Sequence, residues 1–262
     1  FIRDGDPWKE KGLDWSNFWT DHQEIFDIDL PDRPGTELAV GYGDPASWTY
    51  GLFDEQSKIN LNAVPEEALA KIYQNAAGLD EDKAKDLAAK TVEWRKRQEI
   101  LTGFGSVEEL LLVPGMTPSA WKSINPSLTV FGNGKLNLNS ADQRTLLWLG
   151  LPESLVRRIV EYRKQHWAQY SRGHVPNSVL IAEELGTCPR CEKPFKDLGD
   201  LIQKISVSGE EQTALSLLGA LWTFDSELIR FRSVLKKNGV PVGPGLECLA
   251  DKKGRILSLK EL

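Results

Sequence analysis

The sequence has no long apolar run: no stretch of its 262 residues approaches the ~18 consecutive apolar residues of a membrane-spanning helix. It also lacks an excess of basic residues. The formal net charge is -6, which disfavours a general nucleic-acid binder. The chain is 40% hydrophobic and 27% charged, which is typical of a soluble globular protein with one large domain or two modest ones.

Histidine is scarce as well. The three histidines, His22, His166 and His174, each lie in a polar segment. A Ser-His-Asp site would need serine and aspartate residues from distant parts of the chain, and no sequence motif identifies them. We therefore predict a non-catalytic protein, and the alternative of a secreted hydrolase has no motif in its favour.

Cysteine occurs three times, at Cys188, Cys191 and Cys248. The first two form a Cys-Pro-Arg-Cys motif. In an oxidising compartment this motif would close a small disulfide loop, and in a reducing one it would be a redox pair or a zinc knuckle completed by His166 or His174. Cys248 lies in an apolar segment, where we expect a buried thiol.

One pattern is present twice. Lys58–Pro65 reads KINLNAVP, and Lys135–Asp142 reads KLNLNSAD. Helical spacing of apolar residues follows each copy, with Gly78 and Gly150 as the breaks between successive helices. Two copies of an uncommon pattern predict a helical unit that is used twice.

The segments on either side of this repeat have the alternation of strands. Strands are predicted at 37–40 and 47–53 before the repeat, and at 220–224, 228–235, 245–250 and 255–259 after it. The fold class is therefore α+β. We predict one antiparallel sheet from residues 1–58 and 206–262, and an inserted α-helical domain at 59–205 with an irregular excursion at about 166–194.

Each helical unit is similar to a helix-hairpin-helix, or SAM-like, unit. In nucleic-acid binders of that class the hairpin presents backbone amides to a phosphate at a helix N-terminus. Here the matching positions are Gly78–Glu81 and Gly150–Glu153, and both lack the second glycine and carry acidic residues. Pro152 also removes an amide donor. A structural or protein-contact role is favoured, and the alternative is a DNA-binding or DNA-uptake factor.

Two pairs of carboxylates are candidates for a calcium site. They are Asp54 with Glu55 and Glu210 with Glu211, which we expect in loops. Oxygen ligands from loop carboxylates are what this hard cation needs. The alternative interpretation of each pair is a solvated acidic loop.

These motifs together resemble a known family. Asp54–Asn62, which reads DEQSKINLN, resembles the DE-x-x-KINLN signature of GspK, the general secretion pathway protein K of type II secretion systems. Phe131–Ala141 is similar to the second signature of that family. Phe224–Arg232 and Ile256–Leu262 are similar to its closing strands, so the resemblance covers about 37–262.

The resemblance implies a minor pseudopilin with a pilin-like sheet and a large inserted helical domain. Such proteins are anchored in the inner membrane by an N-terminal hydrophobic helix, which this sequence does not contain, and their soluble part is periplasmic. They form the pseudopilus tip with GspI and GspJ, where the helical domain caps the assembly and supports export of secreted substrates. Calcium is associated with the family, although no ligand set carries over residue by residue. This sequence departs from the family in its Cys-Pro-Arg-Cys excursion and in its tryptophan-rich start.

Overall fold

The computed structural model of the chain describes residues 27–30, 32–42, 48–97, 103–171 and 193–262. The described chain divides into two compact units. The sheet unit holds the described residues up to Glu55, those within His166–Pro194, which include the last turns of one long helix, and those from Asp225 to Leu262. The helical unit holds Gln56–Gln165 and Phe195–Phe224. The tryptophan-rich start, His22, His174 and the Cys188/Cys191 pair lie outside the described residues.

The sheet unit contains one antiparallel sheet. Its strands are β1 Asp27–Asp29, β2 Thr36–Tyr42, β3 Thr49–Tyr50, β4 Phe53–Asp54, β9 Leu228–Lys237, β10 Val240–Pro241, β11 Leu246–Asp251 and β12 Ile256–Glu261, and β5 to β8 belong to the helical unit. The strand order is β1-β2-β9-β11-β12. The short strands β3, β4 and β10 pair with β2, β9 and β9 respectively. The predicted antiparallel sheet is thus present.

A tight turn joins β9 to β10. Asn238 and Gly239 both have positive φ, at 51° and 78°, as a two-residue Asn-Gly hairpin turn requires. The buried apolar cluster of the sheet is small and includes Val40, Ile229 and Cys248. Cys248 is a free, buried thiol, as predicted, and burial raises its pKa.

The helical unit contains α-helices with short 3-10 helices between them. The α-helices are α1 Glu66–Ala77, α2 Glu81–Arg97, α3 Pro118–Ile124, α4 Gln143–Trp148, α5 Glu153–Ser171, α6 Leu198–Ile205 and α7 Gly209–Leu217. The 3-10 helices lie at Glu55–Ser57, Val107–Leu112, Asn125–Ser127 and Gly219–Leu221. Its strands are β5 Ile59–Asn60, β6 Leu128–Thr129, β7 Leu136–Asn137 and β8 Trp222–Thr223. Nowhere in the described part of the chain is a helix both long and apolar enough to cross a bilayer.

The second boundary of this unit differs from the predicted one. The prediction ended the inserted domain at residue 205 and gave 206–262 to the sheet, whereas residues 206–224 group with the helices. The physical reason is that α7 follows directly on α6 and that β8 pairs with β7 rather than with the large sheet. Residues 56–58 also belong to the helical unit.

Several predicted helices are present with small differences. Helix α1 ends at Gly78, whose φ of 69° is the left-handed conformation that glycine adopts without strain. The helical spacing that follows α2 in the first copy corresponds to the 3-10 helix Val107–Leu112. Helix α5 runs on to Ser171, into the segment predicted to be an irregular excursion from residue 166. Helices α3 and α7 were not predicted.

Candidate functional site

The two signature stretches adopt the same local structure. Strand β5 pairs in parallel with β6, and Ile59 lies opposite Leu128. Strand β7 pairs in parallel with β8, and Leu136 lies opposite Trp222. Each copy therefore opens and closes with a short strand, and its helices form the connection between them. The predicted repeat is a complete β-helical-β unit that occurs twice.

In the first copy, Asn62 ties its signature to a distant loop. Its side-chain amide donates to the Phe104 carbonyl at 2.9 Å and accepts the Phe104 N–H at 2.6 Å. The side-chain oxygen of Asn60 accepts the N–H of Asn62 at 2.9 Å, which fixes the turn between them. Asparagine suits this position because one side chain supplies both a donor and an acceptor, as a backbone peptide does.

In the second copy, Asn139 makes the same contacts with Phe195. It donates to the Phe195 carbonyl at 2.8 Å and accepts the Phe195 N–H at 3.0 Å. It also donates to the Phe224 carbonyl at 3.0 Å, just after β8. Asn137 accepts the N–H of Asn139 at 2.9 Å, as Asn60 does in the first copy. We call Asn62 and Asn139 the asparagine anchors.

A partly buried arginine supports each anchor from the second helix of its copy. Arg163 donates from Nη1 to the carbonyls of Leu138 and Ala141 at 2.9 and 2.8 Å. Arg95 makes the equivalent contacts in the first copy at 3.1 and 3.0 Å. Burial disfavours the charged guanidinium and lowers the pKa of Arg163 to about 10. Each arginine belongs to an aromatic-Arg-Lys pattern, Trp94–Lys96 and Tyr162–Lys164, and the sequence alone does not show that it holds the signature turn.

In the first copy, a carboxylate of the chain itself caps the helix N-terminus in the hairpin that resembles a phosphate-binding turn. The Asp80 carboxylate accepts the N–H of Lys83 at 3.0 Å, at the N-terminus of α2. Its other oxygen contacts Nζ of Lys83 at 2.6 Å, and these bonds from Lys83 lower the pKa of Asp80. The matching turn of the second copy has Gly150 at a φ of 85°, followed by Pro152. An incoming phosphate would have to displace Asp80, so the geometry disfavours a phosphate site at this hairpin.

Glu55, one of the calcium candidates, is held by an arginine. Arg230 donates from Nε and Nη2 to the two oxygens of Glu55 at 2.7 and 2.9 Å. Glu55 is 1% exposed, and Arg230 also donates to Glu247 at 2.7 Å. Such a bidentate pair uses both carboxylate oxygens. Asp54, its neighbour and the second candidate, is a buried residue of β4.

Glu211 is also engaged, and the expectation that Glu210 and Glu211 lie in a loop is wrong because both lie in the first turn of α7. The Glu211 carboxylate accepts the N–H of Ser208 at 2.9 Å, in a capping box, and the O–H of Ser154 at 2.8 Å. Arg158 forms an ion pair with it. The hydrogen bond from the Ser208 N–H is the largest cause that lowers the pKa of Glu211 to about 2, and Ser154 and Arg158 add to it. Glu210 is exposed.

The contacts of Glu55 and Glu211 do not favour calcium binding at these two residues, and a calcium site in the chain stays a prediction. Within residues 27–30, 32–42, 48–97, 103–171 and 193–262, no three His, Cys, Asp or Glu side chains form a group that could hold a metal ion. Arg230 instead binds the carboxylate of Glu55. Arg158 and the N–H of Ser208 bind the carboxylate of Glu211. A metal site or disulfide at Cys188 and Cys191 stays a prediction, because both lie outside the described residues.

The fold belongs to a class of proteins in which a large helical domain is inserted between the strands of an antiparallel sheet. No protein-family model matches the chain, and no curated protein sequence matches it. A chain of the crystal structure of the GspK–GspI–GspJ complex, from the type 2 secretion system of enterotoxigenic Escherichia coli, has a similar fold with a TM-score of 0.58. The match covers 95% of this chain and 89% of that chain at 15% identity. At this identity the likeness shows the fold, and it confirms the predicted resemblance at that level.

Proposed function

We propose that the chain is a minor pseudopilin of a type II secretion system that forms the pseudopilus tip with GspI- and GspJ-like subunits. The observation that carries this proposal is the fold shared with a chain of the GspK–GspI–GspJ complex, since the match extends over both units rather than over the sheet alone. The two signatures and the closing strands of the sequence support the same protein class.

In this proposal the helical unit is a rigid, non-catalytic cap. The asparagine anchors and their arginines tie each signature to segments far away in the chain, which favours one fixed shape over a hinge. Its interior is a continuous apolar cluster that includes Leu61, Leu138 and Phe195. A bulky rigid unit inserted between the strands of the sheet unit would prevent further subunits from stacking, and so would end the pseudopilus and support export.

The proposed location follows from the proposed role. The two described units would lie in the periplasm, and a hydrophobic helix would anchor the full protein in the inner membrane, as in the family that the sequence resembles. Secreted proteins are then the natural further contacts of the tip. The alternative of a DNA-binding factor is not favoured, because Asp80 caps the helix end that a phosphate would need.

The decisive experiment is reconstitution of the complex. The chain would be co-expressed with the periplasmic domains of the GspI- and GspJ-like subunits from the same secretion operon and analysed by size-exclusion chromatography with light scattering. We expect a 1:1:1 complex. A matched control replaces the GspI-like domain with the periplasmic domain of the major pseudopilin. Absence of any association with either minor subunit would overturn the proposal.

A further inference from the structure

Exposed apolar side chains are concentrated at one edge of the sheet unit. Eleven large hydrophobic residues are exposed in the described chain, and five of them lie on β11, on β12 or directly after it. They are Leu246, Ile256, Leu257, Leu259 and Leu262, which we call the edge strip. Single exposed apolar residues are ordinary, but a contiguous group of them marks an interaction surface.

Three of the five residues of the edge strip lie on β12, the outermost strand. Strand β12 ends the strand order of the sheet, and its partner among the described strands is β11. An edge strand presents unpaired backbone N–H and C=O groups to any strand that approaches. Natural sheets commonly protect such edges with charged residues, yet the first part of β12 reads Ile-Leu-Ser-Leu.

The register connects the strip to the buried cluster of the sheet. Leu259 lies opposite Cys248, and Ile256 lies opposite Ala250. Cys248 and Ala250 both belong to the buried cluster, and side chains of directly paired residues share a face. Leu257 is the extra residue where the register shifts. The apolar face of the sheet therefore continues past its buried part onto an exposed edge.

A basic turn borders this edge. The β11–β12 turn carries exposed Lys252 and Lys253, and with Leu228 and Leu257 they line a depression of about 340 Å³. Asp251 and Glu227 also line it, and Asp251 is already paired with Arg255 at 3.1 Å. The lysines give this corner a local positive excess on a chain of net charge -6. A partner that meets the turn with a carboxylate would complement it.

We propose that β12 receives an extended segment of a neighbouring pseudopilin, which adds to the sheet as a further strand. The segment would place apolar side chains against Ile256 and Leu259 and a carboxylate beside Lys252 and Lys253. Backbone hydrogen bonds would give affinity and the flanking side chains specificity, as in other cases of strand addition. This inference rests on the proposed function and names the surface through which that assembly forms.

The test uses the full chain and the GspI- and GspJ-like periplasmic domains, with affinity measured by titration. The variant Ile256→Lys/Leu259→Lys removes apolar contact and adds like charge at two side chains that are 60% and 58% exposed, so the fold is expected to stay intact. The matched control is Leu217→Lys, at a leucine of α7 that is 78% exposed. We expect at least ~30-fold weaker binding for the double variant and at most ~2-fold for the control.

Two further measurements separate the possible outcomes. Hydrogen exchange in the complex should slow at the backbone amides of 256–261, and Lys252→Glu/Lys253→Glu should weaken binding ~10-fold at low salt and less at high salt. A complex that forms equally well with the double variant, or that leaves these amides unprotected, overturns the docking surface and leaves the tip complex standing. No association of the unaltered chain with either subunit overturns both.

Discussion

Asn139 and Phe195 exchange two hydrogen bonds although 56 residues separate them in the chain. The Asn139 side chain is fully buried, and the Phe195 backbone groups that it satisfies are buried as well. The contact joins the second signature to the start of α6. Asn62 makes the same exchange with Phe104, so each half of the helical unit is closed by the same device.

Replacing the second anchor should destabilise the protein strongly. In Asn139→Ala the buried N–H and C=O of Phe195 lose their partners, and each unsatisfied buried group costs ~1–3 kcal/mol. We expect the free energy of unfolding to fall by ~3–4 kcal/mol, measured by urea denaturation followed by circular dichroism. Asn62→Ala should cost less, because Asn62 is only partly buried and water can replace some of its contacts.

The control for this prediction is Asn75→Ala. Asn75 also donates from its side chain to a backbone carbonyl, that of Trp148 at 3.2 Å, but it is exposed in α1. Alanine has the higher helix propensity, so this variant should stay within ~0.5 kcal/mol of the unaltered protein. An effect of Asn139→Ala no larger than that of Asn75→Ala would show that the anchor is not a source of stability.

The sequence predicted the parts of this fold that depend on local signals. Gly78 ends α1 at the predicted break. Asp142 caps α4 and the Asn238-Gly239 turn joins β9 to β10, which are positions that these residue types favour. These features follow from the conformational preferences of single residues. The repeat was also visible, because KINLN and KLNLN are nearly identical strings.

Contacts between residues that are far apart in the chain could not be predicted from the sequence. Glu55 has the carboxylate that a calcium ligand needs. The sequence does not show that Arg230 lies against it, because this contact depends on the pairing of β4 with β9. The strand predicted at 220–224 has the right β propensity at Trp222 and Thr223, but its partner is β7 and not the large sheet. Propensity predicts that a segment is extended, whereas its pairing is decided by tertiary packing.

Breaking the ion pair between Glu55 and Arg230 should be costly. Arg230→Met removes the bidentate guanidinium from the buried Glu55 carboxylate, and loss of one partner of a buried pair costs ~3–5 kcal/mol. The double variant Glu55→Met/Arg230→Met removes the uncompensated charge and should recover at least half of that loss. Thermal and urea unfolding of the two single variants and the double variant would measure the coupling free energy.

An arginine–carboxylate pair whose arginine is exposed serves as the control. Arg255 contacts Asp251 at 3.1 Å, but its side chain is 77% exposed. Arg255→Met should therefore change the free energy of unfolding by less than ~1 kcal/mol. A double-variant cycle at Glu55 and Arg230 that gave the same small coupling would contradict the structural role assigned to Arg230.

The capping glutamate of α7 should make stability depend on acid pH. The pKa of Glu211 is lowered from 4.5 to about 2 in the folded protein. Its carboxylate therefore stabilises the fold fully above pH ~4.5, and this stabilisation is lost as the pH falls toward ~2. Glu211→Gln should cost ~1–3 kcal/mol at pH 7. The difference from the unaltered protein should narrow at pH 3, as measured by urea unfolding at both pH values.

Glu210→Gln is the matched control because Glu210 precedes Glu211 in the same first turn but is exposed. It should change the free energy of unfolding by at most ~0.5 kcal/mol at either pH, through a weaker interaction with the helix dipole. If the cost of Glu211→Gln were the same at pH 3 as at pH 7, the capping carboxylate would not be the titrating group.

Duplex DNA should not bind to the helical unit despite its helix-hairpin-helix resemblance. Asp80 caps α2 through the N–H of Lys83, and the net charge of the chain is -6, so both the local amides and the long-range field oppose a phosphate backbone. We expect no mobility shift with a duplex of about two helical turns at low salt, with a helix-hairpin-helix DNA-binding protein run beside it as the positive control.

Asp80→Gly exposes the helix amides and is the variant in which weak, salt-dependent binding should first emerge. A salt-dependent shift of the unaltered chain that Asp80→Gly leaves unchanged would place a nucleic-acid site elsewhere on the molecule and would favour the DNA-uptake alternative over the structural cap.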